Sequence, residues 1–302
     1  MKRGILKKTN CLCDCSKKPI KIVGVMTSNR SKYGCAREDP IANELLKVAL
    51  KEAEKNGAKT EIIDLRMLKI GPCKECYSSC PAQCRFSERS FQCDCYSFKK
   101  DFMFLNSKEF MSMEDAYDKL DKKTFFDILY DERRFAERDN MWIVYKSFLE
   151  ADGIIFATST NFYSRPALLQ VMISRLTALD GGVEELWGDG KNLGNSIKYA
   201  KNPKNMYKQR LYGKNVAFIN VSKEGDSVTP NLMKACSMMG MKIIPLSVSS
   251  HVNWYEDKTF RNDKSKTLKD SYTLSLAKNI GSKIVEEVKR SNRKYGMLSL
   301  VV

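Results

Sequence analysis

The chain has 302 residues and a formal net charge of +16, from 52 Lys and Arg against 36 Asp and Glu, with a single histidine. That length buries a sizeable core in one large domain or two small ones, no apolar run reaches the roughly 20 residues of a membrane span, and "MKRGILKKTN" is basic without an apolar signal core. The expectation is therefore a cytoplasmic protein with no membrane partner; the lysines and arginines are scattered without basic and aromatic interleaving, so nucleic acid is not an expected partner, and one histidine disfavours His-rich metal sites and His-based nucleophilic catalysis.

Residues 1–20 form a basic tail carrying Cys11, Cys13 and Cys15. "KIVGVMTS" (21–28) is a buried strand that ends in small polar residues. "DPIANELLKVALKEAEKNG" (39–57) follows as a helix, with Asp39 expected as its cap, Pro40 in its first turn and Ala42, Leu45, Leu46, Ala49 and Ala53 on one stripe. "TEIIDLR" (60–66) is a second strand, "DGIIFATST" (152–160) a third, and "PALLQVMISRLTAL" (166–179) a helix. "NVAFINVS" (215–222) is a fourth strand; the helix after it is expected to be capped by Thr229, to start at Pro230 and to end at Gly240. "KIIPLSV" (242–248) is the fifth strand, and "SLAKNIGSKIVEEVKR" (275–290) an amphipathic helix.

Strands separated by helical patterns specify an α/β fold, a doubly wound parallel sheet with helices on both faces. Residues 21–302 read as one domain with insertions at about 67–140 and 183–213; within the first, "MEDAYDKL" and "FFDILYDERRFAER" carry helical patterns. Ligands of such sheets bind beyond the carboxyl ends of the strands. Three loops stand there. "TSNRSKYG" offers hydroxyls and a guanidinium before a helix N-terminus, which suits a phosphate, although Glu38 and Asp39 beside it would repel an anion. "TSTNFYS" offers aromatic rings to a flat ligand, and "SKEGDS" offers Gly225 for close backbone approach. Neither a Walker loop nor a Gly-x-Gly-x-x-Gly turn is present, which disfavours nucleoside triphosphates and Rossmann-bound dinucleotides.

Eleven cysteines in a reducing compartment point to metal or redox chemistry and not to a disulfide framework. "GPCKECYSSCPAQC" places Cys73, Cys76, Cys80 and Cys84 within twelve positions. Thiolates on a short loop can wrap a [4Fe–4S] cubane; zinc on the same four sulfurs, or uncommitted thiols, are the competing readings. Cys93 and Cys95 could replace Cys80 or Cys84. Cys236 reads as a small buried hydrophobe and His251 as a loop residue.

Over roughly residues 20–84 and 141–290, "KIVGVMTSNRSKYGCAREDPIANELLKVALKEAEKNGAKTEIIDL", "KIGPCKECYSSCPAQC" and "LEADGIIFATSTNFYSRPALLQVMISRLTAL" make the chain resemble the flavodoxin-like NADPH-dependent FMN reductases, and within them the iron–sulfur flavoproteins. The resemblance implies strand order 2-1-3-4-5 with FMN at the switch between the first and third strands. It implies that Ser28, Arg30 and Ser31 cradle the FMN phosphate, that Ser159, Thr160, Asn161, Phe162 and Tyr163 border the isoalloxazine, and that Ser222, Lys223, Glu224 and Gly225 close its other side. It assigns Cys73, Cys76, Cys80 and Cys84 to an iron–sulfur cluster. The implied activity is oxidoreduction, with NAD(P)H or a protein as donor and flavin, quinone or another small-molecule or protein acceptor; no side chain need act as acid or base. A homo-oligomer, dimer or tetramer, is implied too. The alternatives are a non-enzymatic iron–sulfur flavoprotein carrying electrons between protein partners, and a basic binding protein without flavin.

Overall fold

The apolar runs at 21–26, 153–159 and 215–222 are buried along nearly their whole length, as the middle of a sheet covered on both faces requires, whereas the run at 59–64 buries only Ile63. In the computed structural model, which describes residues 19–33, 39–75, 86–87, 91–93, 96, 104–106, 109–111, 139–180, 209–222, 226–244, 248–251 and 268–298, β1 (Lys21–Met26) lies between two parallel neighbours. These are β2 (Lys59–Asp64), paired Lys21 to Lys59 through Met26 to Asp64, and β3 (Gly153–Ser159), paired Ile22 to Gly153 through Met26 to Ala157. β3 pairs with β4 (Asn215–Ser222). β4 pairs in turn with two short pieces, β5 (Lys242–Ile243) and β6 (Val248–His251). With β5 and β6 taken as one interrupted strand, the order is 2-1-3-4-5, the flavodoxin-like arrangement expected.

The fifth strand was expected to run unbroken over 242–248. Instead, the five steps from Ile243 to Val248 oppose the three from Val216 to Ile219, so the register slips by two residues. Pro245, which has no N–H for a ladder, falls inside that interval.

Alternation along the strands builds two cores. Ile22, Met26, Ile155, Ala157, Ala217 and Ile219 face α1 (Ile41–Lys55) and α6 (Ser271–Leu298). Val23, Val25, Ile154, Phe156, Val216 and Phe218 face α2 (Met141–Glu150), α3 (Ala167–Arg175) and α5 (Val228–Met238), with the short α4 (Thr177–Asp180) following α3. The sequence reading missed α2, although Met141, Val144, Tyr145 and Phe148 recur at helical spacing and are all buried. In the insertion between β2 and β3, two hairpins are described, Phe86–Ser87 with Gln92–Cys93 and Phe104–Asn106 with Glu109–Met111. The helical patterns expected within 101–140, and nearly all of 183–213, lie outside the described residues. Among the described residues no helix is long and apolar enough to cross a membrane.

Two helix starts differ from expectation. α1 has Pro40, not Asp39, at its N-cap position. α5 begins at Val228, and the carboxylate that serves its first turn is Asp226, whose Oδ1 accepts from the Thr229 N–H at 2.8 Å. An acidic side chain three residues ahead of an orphan N–H does what a capping threonine would do.

α1 and α6 meet at Gly281, where an added Cβ would fall inside the contact radius of the Ala49 carbonyl. Gly281→Ala should therefore force the helices apart and lower stability by about 1–3 kcal/mol in urea unfolding, with an unchanged m-value. Burial pushes the Cys236 thiol up to about 12 from an ordinary value of 9.0. The folded state then holds the proton that the unfolded state releases, so this contribution is complete below pH 9 and is lost as pH rises towards 12. A Cys236→Ala variant should show a flatter fall in urea midpoint across that window than the parent chain.

Candidate functional site

At the end of β1, the Thr27 N–H and hydroxyl both donate to the Ala157 carbonyl, at 3.0 and 3.1 Å. Beyond that point the chain turns into its first loop, and a cavity of about 350 Å³ opens at the carboxyl ends of β1, β3 and β4. It is lined by Ser28, Asn29 and Arg30 from the first loop, by Pro40, Ile41 and Ala42 from the start of α1, by Ser159 to Phe162 and Pro166 after β3, and by Val221 and Ser222 from β4. Of the twelve residues proposed from sequence for the cofactor, seven line this one cavity: Ser28, Arg30, Ser159, Thr160, Asn161, Phe162 and Ser222.

Two more of the twelve stand beside it. The Ser31 hydroxyl accepts from the Tyr33 N–H at 3.1 Å and is not among the lining groups. Tyr163 is also outside the lining, its ring edge-on to Phe162 with centroids 6.2 Å apart. Lys223, Glu224 and Gly225 lie outside the described residues.

The cavity combines one wall suited to an anion with one suited to a ring. Ser28 contributes a hydroxyl that accepts from the Arg30 N–H and from Ser159 Oγ, each at 3.4 Å. The first N–H groups of α1, at Ile41 and Ala42, belong to the set that a helix leaves without internal partners, and the positive end of the helix dipole lies with them.

The repulsion anticipated from Asp39 is relieved by a residue the sequence reading did not single out. Arg66 Nη1 donates to Asp39 Oδ1 at 3.2 Å and to the Arg30 carbonyl at 2.7 Å, while its Nε and Nη2 grip the Asp64 carboxylate. Hydrogen bonding to Asp64 foremost, and then to Asp39, raises the Arg66 pKa against the opposing effect of burial. Its position at the carboxyl end of the second expected strand was the available signal. Glu38 lies outside the described residues.

Opposite stands a tight turn. Asn161 and Ser164 exchange both backbone hydrogen bonds, at 2.8 and 3.0 Å, around Phe162 (φ 47°) and Tyr163 (φ 58°). Two non-glycine residues in the left-handed region are strained, each by about 1–2 kcal/mol. The turn holds Phe162 87 % exposed at the cavity rim, and Ser227 Oγ donates to the Tyr163 carbonyl at 2.7 Å. Rings displayed against conformational preference form a surface that a flat ligand can cover.

The proposed metal ligands are not brought together among the described residues, since Cys76, Cys80 and Cys84 lie outside them and no other metal-ligating cluster is found within them. Cys73 is half-buried. Cys93, the expected substitute ligand, is buried with its sulfur 3.2 Å from Arg175 Nη2. Arg175, 2 % exposed, also donates to Asp139 at 2.6 Å, to the Gly71 carbonyl at 3.0 Å and to Gln92 at 3.2 Å, under the Tyr96 ring at 3.6 Å. Burial alone would lower its pKa; Cys93, Tyr145 and Asp139 outweigh it and hold the guanidinium charged. Cys95, Cys35 and the tail cysteines are outside the described residues; His251, expected in a loop, is instead the last residue of β6, paired with Ser222.

No protein-family model and no curated protein matches the sequence. Solved structures do match. The crystal structure of RosB with bound 8-demethyl-8-formylriboflavin-5′-phosphate superposes with a TM-score of 0.53 at 14 % identity, over 91 % of this chain and 81 % of that one. A flavone reductase matches with a TM-score of 0.46 at 18 % identity (89 % and 63 % of the two chains), and an azoreductase from Bacillus anthracis str. Sterne with 0.42 at 12 % (89 % and 99 %).

If the Phe162 backbone is strained, a residue that tolerates the left-handed region should relieve it. Phe162→Asn is expected to raise unfolding stability by about 0.5–1.5 kcal/mol in urea titration, although it removes the ring from the rim. The chain has the flavodoxin-like fold, the fold it shares with the RosB structure that holds a riboflavin 5′-phosphate derivative.

Proposed function

We propose that the chain is an FMN-dependent oxidoreductase that takes reducing equivalents from NAD(P)H or a protein donor and passes them to a second acceptor. The observation that carries this reading is the composition of the cavity, with an anion-binding wall and an aromatic rim brought together at the strand ends where an α/β sheet of this order binds its ligand. A phosphate fits between the Ser28 hydroxyl, Arg30 and the N–H groups opening α1. A ring fits between Ser159, Thr160, Asn161 and Phe162 on one side and Ser222 on the other; Tyr163 would extend the first side, and Lys223, Glu224 and Gly225 the second.

When bound, FMN supplies a ring able to accept a hydride and release electrons singly. The protein's own residues bind and orient. Arg30 and the α1 N-terminus fix one end of the ligand, the turn at Phe162 and Tyr163 shields one face from water, and backbone groups near Ser222 meet the polar edge. No side chain acting as acid or base is required.

A [4Fe–4S] cluster on Cys73, Cys76, Cys80 and Cys84 is the second component of the proposal. What favours an ordered centre there is the anchorage of both flanks of the cysteine segment, at Gly71 and at Gln92 and Cys93, on the buried Arg175. Self-association and a cytoplasmic site remain part of this reading.

Anaerobic purification with flavin, iron and acid-labile sulfide analysis tests both components. One FMN per chain is expected, with about four irons if the cluster is present; a colourless chain that does not take up added FMN refutes the reading. Steady NAD(P)H consumption with quinone or free flavin as acceptor separates an enzyme from an electron carrier. Arg30→Ala should raise the FMN dissociation constant roughly 10- to 100-fold, the usual loss for one charge-assisted contact.

A further inference from the structure

Arg66 does not line the cavity, yet its side chain, 21 % exposed, joins three elements that shape the anion-binding wall. Its Nε lies 2.9 and 3.1 Å from the two Asp64 oxygens and its Nη2 lies 2.5 Å from Oδ2, which fixes the guanidinium to the end of β2. Nη1 is thereby aimed across to the first loop and to the approach to α1, donating to the Arg30 carbonyl at 2.7 Å and to Asp39 Oδ1 at 3.2 Å.

Each contact has a consequence for an anion. Asp39 directly precedes Pro40, the N-cap residue of α1, where a carboxylate competes with an incoming phosphate for the positive end of the helix. Binding by Arg66 draws that carboxylate towards β2 and offsets its charge. The Arg30 carbonyl, once held by Arg66, turns the trans peptide so that the Ser31 N–H points away from Arg66. One cation thus draws a repulsive group aside and fixes a loop of the wall, while touching no ligand itself.

We propose that Arg66 is a positioning residue that makes this cavity select a phosphorylated over an unphosphorylated flavin, an inference that rests on the flavin reading above. Its action runs through Asp39 and the Arg30 peptide. The effect of its loss should fall on the phosphate and spare the ring.

The test is titration of FMN and riboflavin, followed by flavin fluorescence, into flavin-free preparations of the full chain and of Arg66→Gln, Arg66→Lys, Asp39→Asn and Arg66→Gln/Asp39→Asn. Arg66→Gln should weaken FMN roughly 10- to 100-fold and riboflavin by less than about threefold. Adding Asp39→Asn to it should restore part of the FMN affinity, a coupling that two independent sites do not show. Arg66→Lys, which keeps the charge but loses the fork that grips Asp64, should fall between. Equal losses for both ligands, or no rescue by Asp39→Asn together with an unchanged FMN-to-riboflavin ratio, overturn the proposal. If Arg66→Gln does not fold, the ratio measured in Arg66→Lys decides in the same way. Tight FMN binding by the parent chain with an unaltered ratio in the variants sinks this inference alone; no flavin binding by the parent chain sinks it together with the flavin reading.

Discussion

The site depends on where β1 and β3 stop running together. Thr27 gives both its N–H and its hydroxyl to the Ala157 carbonyl, so the two strands are joined to that point, and the cavity opens immediately past it. Because β2 and β4 flank them on opposite sides, the connections of β1 and β3 leave towards different faces, and no loop has to cross the gap. Topology creates the hollow; the side chains then make it selective.

Much of this was legible in the sequence. The apolar runs at 21–26, 153–159 and 215–222 are so rich in β-branched and aromatic residues that strand existence, parallel pairing and burial follow from them. The polar residues closing each run become the cavity lining, because strand ends that leave a buried sheet must satisfy their own backbone groups or offer them to a ligand. What escaped was set by tertiary contacts. The division of the fifth strand depends on register against β4, and the start of α5 depends on Asp226 accepting from the Thr229 N–H. α2 was legible in principle, since its apolar spacing is regular, but it stands between a charged insertion and a strand and was overlooked.

Arg66 and Arg175 illustrate the same limit from the side of charge. A sequence shows arginines but not which carboxylates and carbonyls will surround them. Arg66 collects Asp64 from its own strand end and Asp39 from 27 positions away; Arg175 collects Asp139, Gln92 and the Gly71 carbonyl from three separate places. Both hold together residues far apart in the chain, through guanidinium donors that meet acceptors no helix or ladder serves, four of the five donors in the case of Arg175. The difference between them is burial. Arg175 is enclosed and its ion pair with Asp139 nearly so, which makes that network a fixed part of the core.

α3 is nine residues long, with Pro166 at its N-cap on the cavity rim and Arg175 as its last residue. At 1.5 Å of rise per residue it measures about 14 Å. It therefore acts as a ruler between the hollow and the Arg175 contacts with Gly71, Gln92 and Cys93, setting their separation by the stiffness of one short rod.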